Sequence, residues 1–153
     1  MSNKLKALVT GGATGIGRST VLALARAGYD VAINYGSSAK AAAATAAEAQ
    51  ALGAKTLLIQ CDVSDEAAVR QMMQQIEQAF GHLDALVNNA GTTAKWKVKD
   101  LESLDLNEWD RTFAVNVRGL FQVTRAAVPL LKKGSNPSTG QTASIVGIHP
   151  GPT

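Results

Sequence analysis

The sequence predicts a doubly wound α/β fold, a parallel sheet covered by helices on both faces. Three observations lead there. Short apolar runs alternate with segments of helical periodicity. The runs are apolar at consecutive positions, as strands buried on both faces require. A glycine-rich turn joins the first run to the first helical segment. At 153 residues the chain has room for one domain with a substantial core and too little for two ordinary ones, so residues 1–153 are expected to form a single domain.

The elements follow in order. Leu5 to Thr10 (LKALVT) stops at Gly11-Gly12 and reads as a buried strand entering a turn. From Gly15 to Ala27, Ile16, Val21, Leu22 and Ala25 recur at helical spacing, and Gly28 precedes a second apolar strand, Val31 to Tyr35. Ser37 or Ser38 can cap an Ala-rich helix over Ala39 to Leu52. Lys55 to Cys61 gives a third strand; Ser64 is expected to cap the next helix, with Met72, Met73, Ile76 and Phe80 as its apolar stripe. Leu83 to Asn89 gives a fourth strand. A lysine-bearing connection (Lys95, Lys97, Lys99) leads to a long helix over Asn107 to Leu131, expected to end near Pro129 and Gly134 and to bury Trp109 in the core. Residues 134–142 read as a loop and Ala143 to Ile148 as a fifth strand.

Composition narrows the function classes. Hydrophobic residues make up 46% and charged residues 18%, which fits a packed chain and argues against disorder or collagen. A formal net charge of +3, with no basic run interleaved with aromatics, gives no support to a nucleic-acid footprint. Cys61 is the only cysteine; it permits neither a disulfide framework nor a cysteine-based zinc site, and a reducing cytoplasm is the expected home. A polar start, Met1 to Leu5, and the lack of a long apolar stretch predict no signal peptide and no membrane span.

In doubly wound sheets ligands bind at the carboxyl ends of the strands. That edge gathers Gly11 to Gly17, Asn34 to Ser38, Asp62 and Val63, Asn88 to Gly91, and residues from Gly147 onward. In Thr10-Gly11-Gly12-Ala13-Thr14-Gly15-Ile16-Gly17 the glycines permit a sharp turn and a close approach to a pyrophosphate, while the helix N-terminus offers N–H groups to the anion. The alternative is a turn that merely packs. Asn88-Asn89 ends a buried strand, so the amides must bond backbone or ligand there, as a clamp between strands or beside a cofactor. Asp62 either accepts from an adenine amino group or serves a turn. An acid at the end of the second strand would accept from the ribose 2′-OH of NAD; the chain has Asn34-Tyr35-Gly36-Ser37-Ser38, and Asp30 lies at the opposite end of that strand. Asn34, Ser37 and Ser38 can donate to a 2′-phosphate, which favours NADP(H) and leaves NAD(H) possible.

The strings T-G-G-x-x-G-I-G, D-V after the third strand, N-N-A-G after the fourth and W-D-R-T-F-A-V-N-V-R-G in the long helix together resemble the short-chain dehydrogenase/reductase family over about residues 5–148. The resemblance implies a Rossmann-type sheet of strand order 3-2-1-4-5 and hydride transfer between NAD(P)(H) and an alcohol or carbonyl, with 3-oxoacyl thioester reductases among the nearest types. It implies that Gly11, Thr14, Gly15, Ile16 and Gly17 hold the pyrophosphate side, Asp62 and Val63 border the adenine, and Asn88, Ala90 and Gly91 the nicotinamide-side ribose. Asn116 matches the family's catalytic-site asparagine; a helix-interior Asn bonding a carbonyl one turn back is the alternative.

The pattern fails at the proton donor. The family's tyrosine is followed by a lysine four residues on, and neither Tyr29 nor Tyr35 has one. Ser144 would begin the fifth strand, far from the active edge, and His149 would stand at it. Ile148 to Thr153 (IHPGPT) resembles the segment the family carries after its sixth strand, so the unit between strands five and six is expected to be missing and the sheet incomplete on its C-terminal side. A non-catalytic dinucleotide-binding module, or a partner of full-length relatives, is the alternative function. The unpartnered long helix predicts a homo-oligomer.

Overall fold

The computed structural model describes residues 4–93, 100–103 and 105–144. Five strands, β1 (Lys6–Val9), β2 (Asp30–Tyr35), β3 (Thr56–Gln60), β4 (Ala85–Asn88) and β5 (Ser138–Gln141), form one sheet in the order β3-β2-β1-β4-β5. Every pairing is parallel. Helices α1 (Gly15–Arg26), α2 (Ala39–Ala51) and α3 (Glu66–Phe80) connect the first four strands, and α4 (Leu106–Phe113) and α5 (Leu120–Leu131) precede the fifth.

Successive strand side chains point to opposite faces, and both faces are covered. Leu8, Ala32 and Leu86 pack with Val69, Met72 and Ile76 of α3 and Val123, Ala127 and Leu130 of α5. Their neighbours Ala7, Val9, Val31, Ile33 and Ala85 pack on the other side with Val21, Leu22 and Ala25 of α1 and Ala46 and Ala49 of α2. This two-sided burial is why β1, β2 and β4 read as uninterrupted apolar runs. At the amino ends Asp30 opens β2 and pairs with Lys6 Nζ at 2.7 Å.

The structure corrects several expectations. The fifth strand is Ser138–Gln141, inside the segment read as a loop. Backbone bonds hold it, Ser138 N to Asp84 O and Thr142 N to Asn88 O, both 2.9 Å; all four residues are exposed, so no apolar pattern marks them. Ala143 and Ser144 follow this strand outside regular structure, which puts Ser144 beyond its carboxyl end; Ile145 to Thr153, including Gly147 and His149, lie outside the described residues, as do Lys95, Lys97 and Lys99. The cap of α3 is Asp65, whose carboxylate accepts from Ala67 N and Ala68 N, because Ser64 is engaged by Asp62.

The expected single helix over 107–131 is α4 and α5 joined by a π-helical stretch, Ala114–Gly119. Pro129 sits inside α5, and Lys132 N still bonds Val128 O at 2.9 Å, so the proline removes one bond near the end without stopping the helix. Trp109 is 49% exposed and rests on Phe113 with ring centroids 5.0 Å apart. It belongs to an outward stripe with Phe113, Val117 and Phe121, spaced four apart, that no described element covers. His82 is largely covered and bonds the buried Asp84 at 3.1 Å. Among the described residues no helix is long and apolar enough to cross a membrane.

Candidate functional site

A cleft of about 460 Å³ opens at the carboxyl ends of β1, β2, β3 and β4. Of the residues singled out in the sequence, Gly11, Thr14, Asn34, Ser37, Asp62, Val63, Ala90 and Gly91 line it. Gly15, Ile16, Gly17, Asn88 and Asn116 are not among its lining residues.

The turn after β1 is shaped by what its glycines exclude. At Gly17 a Cβ would run into Gly11 O and stand 2.5 Å from Asn89 Nδ2, so only glycine lets α1 begin this close to the end of β4. Gly11 has φ +61, and its Cβ would meet Ala90 Cα at 2.9 Å. Thr14 is extended and precedes α1 without a side-chain capping bond, and the first turn of α1 carries no acid. The amino end of this helix therefore faces the cleft with its positive dipole end uncompensated by side chains.

Asn34 is almost fully buried. Its Oδ1 accepts from Gly11 N at 3.3 Å and its Nδ2 donates to Cys61 O at 2.9 Å, tying the ends of β1, β2 and β3 together. These bonds commit the amide expected to donate to a phosphate. Ser37 lines the cleft beside it. The Cys61 thiol is buried, and burial, then the charges of Asp62 and Asp65, push it up to about 11.

Both asparagines, Asn88 at the end of β4 and Asn89 just after it, act as clamps. Asn88 Nδ2 donates to Thr124 Oγ1 at 2.9 Å and Gln141 Oε1 at 3.1 Å, while its buried Oδ1 has no partner among the described residues. Asn89 Nδ2 donates to Thr10 O and Gly11 O, both at 3.1 Å. The Thr10 hydroxyl accepts from Asn89 N and Ala90 N, each at 3.0 Å. Thr10 is thus the residue on which the β4 turn is built. Its position, immediately before Gly11 in the motif, was the one available signal.

Asn116 projects from the π-helical stretch, a distortion often found at functional sites. Its Oδ1 accepts from Thr92 N and its Nδ2 donates to Thr92 O, both at 2.8 Å. The partner is the chain just after Gly91, so Asn116 fixes the lip of the cleft instead of bonding a carbonyl one turn back.

Asp62 lines the cleft with its acceptors largely used. Ser64 N (2.9 Å) and Ser64 Oγ (2.7 Å) donate to Oδ1, and Arg111 Nη1 pairs with Oδ2 at 2.8 Å. Burial pushes the carboxyl up, but the Ser64 bonds and the Arg111 charge outweigh it and hold Asp62 below its ordinary value of 3.8. Arg111 and Val115, one helical turn apart, complete this wall. Neither was singled out in the sequence, although both fall in the W-D-R-T-F-A-V-N string.

Comparison with known proteins agrees with this geometry. Against the 3-oxoacyl-(acyl-carrier-protein) reductase FabG of Staphylococcus aureus the chain is 38% identical over 141 residues, 92% of this chain and 56% of that protein. A short-chain dehydrogenase of Burkholderia cenocepacia, solved in complex with NADP, superimposes with a TM-score of 0.88 at 39% identity, covering 97% of this chain and 58% of that one. A 3-ketoacyl-ACP reductase of Sinorhizobium meliloti gives 0.85 at 37% identity, over 93% and 55%. The chain spans about half the length of the curated relatives it matches. The short chain dehydrogenase profile matches residues 5–153, and with the strand order and the glycine turn already in place, the chain belongs to the short-chain dehydrogenase family.

Proposed function

We propose that this chain carries the dinucleotide site of an NADP(H)-preferring oxidoreductase that moves hydride between nicotinamide and an alcohol or carbonyl carbon, with 3-oxoacyl thioesters as the favoured substrate class. The observation that carries the reading is the glycine-cut cradle after β1: the space a Cβ would fill at Gly17 and Gly11 is taken by backbone, and the uncapped amino end of α1 opens on the cleft. A pyrophosphate fits there because N–H groups and the helix dipole favour an anion.

The other residues fit the same group. Asp62 and Val63 stand where a base would lie, Ser37 and Ser38 line the cleft after β2, and no acid follows β2 to oppose a 2′-phosphate. Ala90 and Gly91 present backbone to the far ribose. Bound nicotinamide would supply the hydride. Asn116 holds the Thr92 lip in place, and Tyr35, which lines the cleft, ends β2 beside the serines.

The reading extends to a homo-oligomer formed through α4 and α5, where Phe113, Val117 and Phe121 line an exposed groove of about 760 Å³. It also places the chain in the cytoplasm, where the thiol of Cys61 stays reduced. Titrating the protein with NADPH and NADH, followed by a panel of 3-oxoacyl and simple carbonyl compounds, tests the proposal. Tighter binding of NADPH with turnover is expected. Preference for NADH refutes the phosphate reading, and binding without turnover selects the non-catalytic module. Light scattering showing a monodisperse monomer refutes the oligomer.

A further inference from the structure

The Asp62 carboxylate offers four acceptor positions. Ser64 fills two on Oδ1 and Arg111 fills one on Oδ2, leaving one position on Oδ2. Arg111 closes the arrangement: the same Nη1 that pairs with Oδ2 also donates to Ser64 Oγ at 2.7 Å, and that hydroxyl donates on to Asp62 Oδ1. The three side chains thus form a ring in which the carboxylate cannot rotate without breaking a charge-assisted bond. Arg111 comes from α4, far along the chain from Asp62, and both line the cleft.

We propose that Arg111 is a positioning residue: by fixing the single open acceptor of Asp62 at the base end of the cleft, it makes the site select a 6-aminopurine over a 6-oxopurine. The inference rests on the dinucleotide reading above. An adenine amino group donates to the open Oδ2 position, whereas hypoxanthine turns a carbonyl oxygen toward it, and two acceptors face each other. Without Arg111 the carboxylate, tethered only through Oδ1, turns to relieve that opposition. Selectivity then falls, although adenine is still tolerated.

The test compares binding of NADPH with that of its hypoxanthine analogue by fluorescence titration, in the unaltered protein, in Arg111→Met and in Asp62→Asn. Arg111 is half-exposed, so its replacement leaves the core intact. One charge-assisted hydrogen bond is worth roughly tenfold or more in affinity, so the unaltered protein is expected to prefer NADPH by about that factor. Arg111→Met is expected to bring the ratio near one, and Asp62→Asn, whose oxygen keeps the Ser64 bonds while its amide N–H faces the base, to bring it to one or below. A purely structural tie between α4 and the end of β3 would weaken both ligands alike and leave the ratio unchanged. Binding without discrimination in the unaltered protein, or discrimination kept in Arg111→Met, overturns the inference and leaves the cofactor reading standing. Failure of the unaltered protein to bind either dinucleotide overturns both.

Discussion

Replacing Thr10 by valine keeps the shape of a buried side chain and deletes one oxygen. That oxygen accepts from Asn89 N and Ala90 N, each at 3.0 Å, and makes a longer contact to Val87 O at 3.5 Å. Thr10 is 1% exposed, so water cannot readily replace the hydroxyl. A buried N–H left without its acceptor costs about 1–3 kcal/mol. Two partly buried amides therefore give a loss of about 2–4 kcal/mol for Thr10→Val, with no cavity contribution. At about 3 °C per kcal/mol for a chain of this size, the melting midpoint falls by roughly 6–12 °C. Urea unfolding followed by circular dichroism measures the loss, and an unchanged slope confines the effect to the folded state. Thr10→Ser, which keeps the oxygen and loses a methyl group, should cost about 1 kcal/mol. If Thr10→Val costs less than about 0.5 kcal/mol, the hydroxyl is not what holds the β4 turn against β1, and the account of the cleft's shape is wrong.

Gly17→Ala should lose about 1–3 kcal/mol or more, because its methyl meets Gly11 O and Asn89 Nδ2, neither of which can withdraw; NADPH-induced fluorescence changes should disappear with it, and ordinary stability with ordinary affinity would refute the cradle. The Asp30 carboxyl is pushed up by burial, but bonds from Lys6 Nζ and Lys55 N outweigh this and hold it below its ordinary value of 3.8. Its pairing thus stabilises the fold fully above pH of about 4 and is lost as pH falls through the lowered folded value. Denaturant midpoints measured from pH 7 to pH 3 should fall at the acid end, and fall less steeply in Asp30→Asn; parallel curves would count against the pairing. Cys61, 5% exposed and pushed up to about 11, should resist aromatic disulfide reagents at pH 8 in the folded protein and react at once in denaturant. Prompt reaction of the folded protein would show the thiol to be accessible.

The two ends of the sheet divide the polar work. At the amino ends Lys6, Asp30 and Asp84 hold the strands in register, with Asp84 accepting from Lys6 N at 2.8 Å and from Ser135 N at 3.2 Å. At the carboxyl ends Thr10, Asn34 and Asn89 do the same with uncharged groups. With the cation of Arg111 paired to Asp62, an uncharged strand-end clamp leaves the dipole of α1 as the main uncompensated field over the cleft, a suitable environment for an anionic ligand.

What the sequence determined by itself is the part of the fold whose residues are buried on both faces. β1, β2 and β4 and the stripes of α1 and α3 are recognisable because burial demands apolar side chains at a fixed period, and the glycine turn because a backbone in contact with backbone tolerates no Cβ. The clefted edge could be located for the same reason. Tertiary structure alone decided the rest. β5 is a polar edge strand held through main-chain bonds to Asp84 and Asn88, and main-chain bonds leave no trace in residue type. Trp109 and Phe113 carry core chemistry on a surface that no described element covers, so periodicity could not place them. The Asp62–Ser64–Arg111 ring joins residues distant in sequence, and whether an aspartate at a strand end serves a turn, a ligand or an arginine depends on which side chain the fold brings within about 3 Å of it.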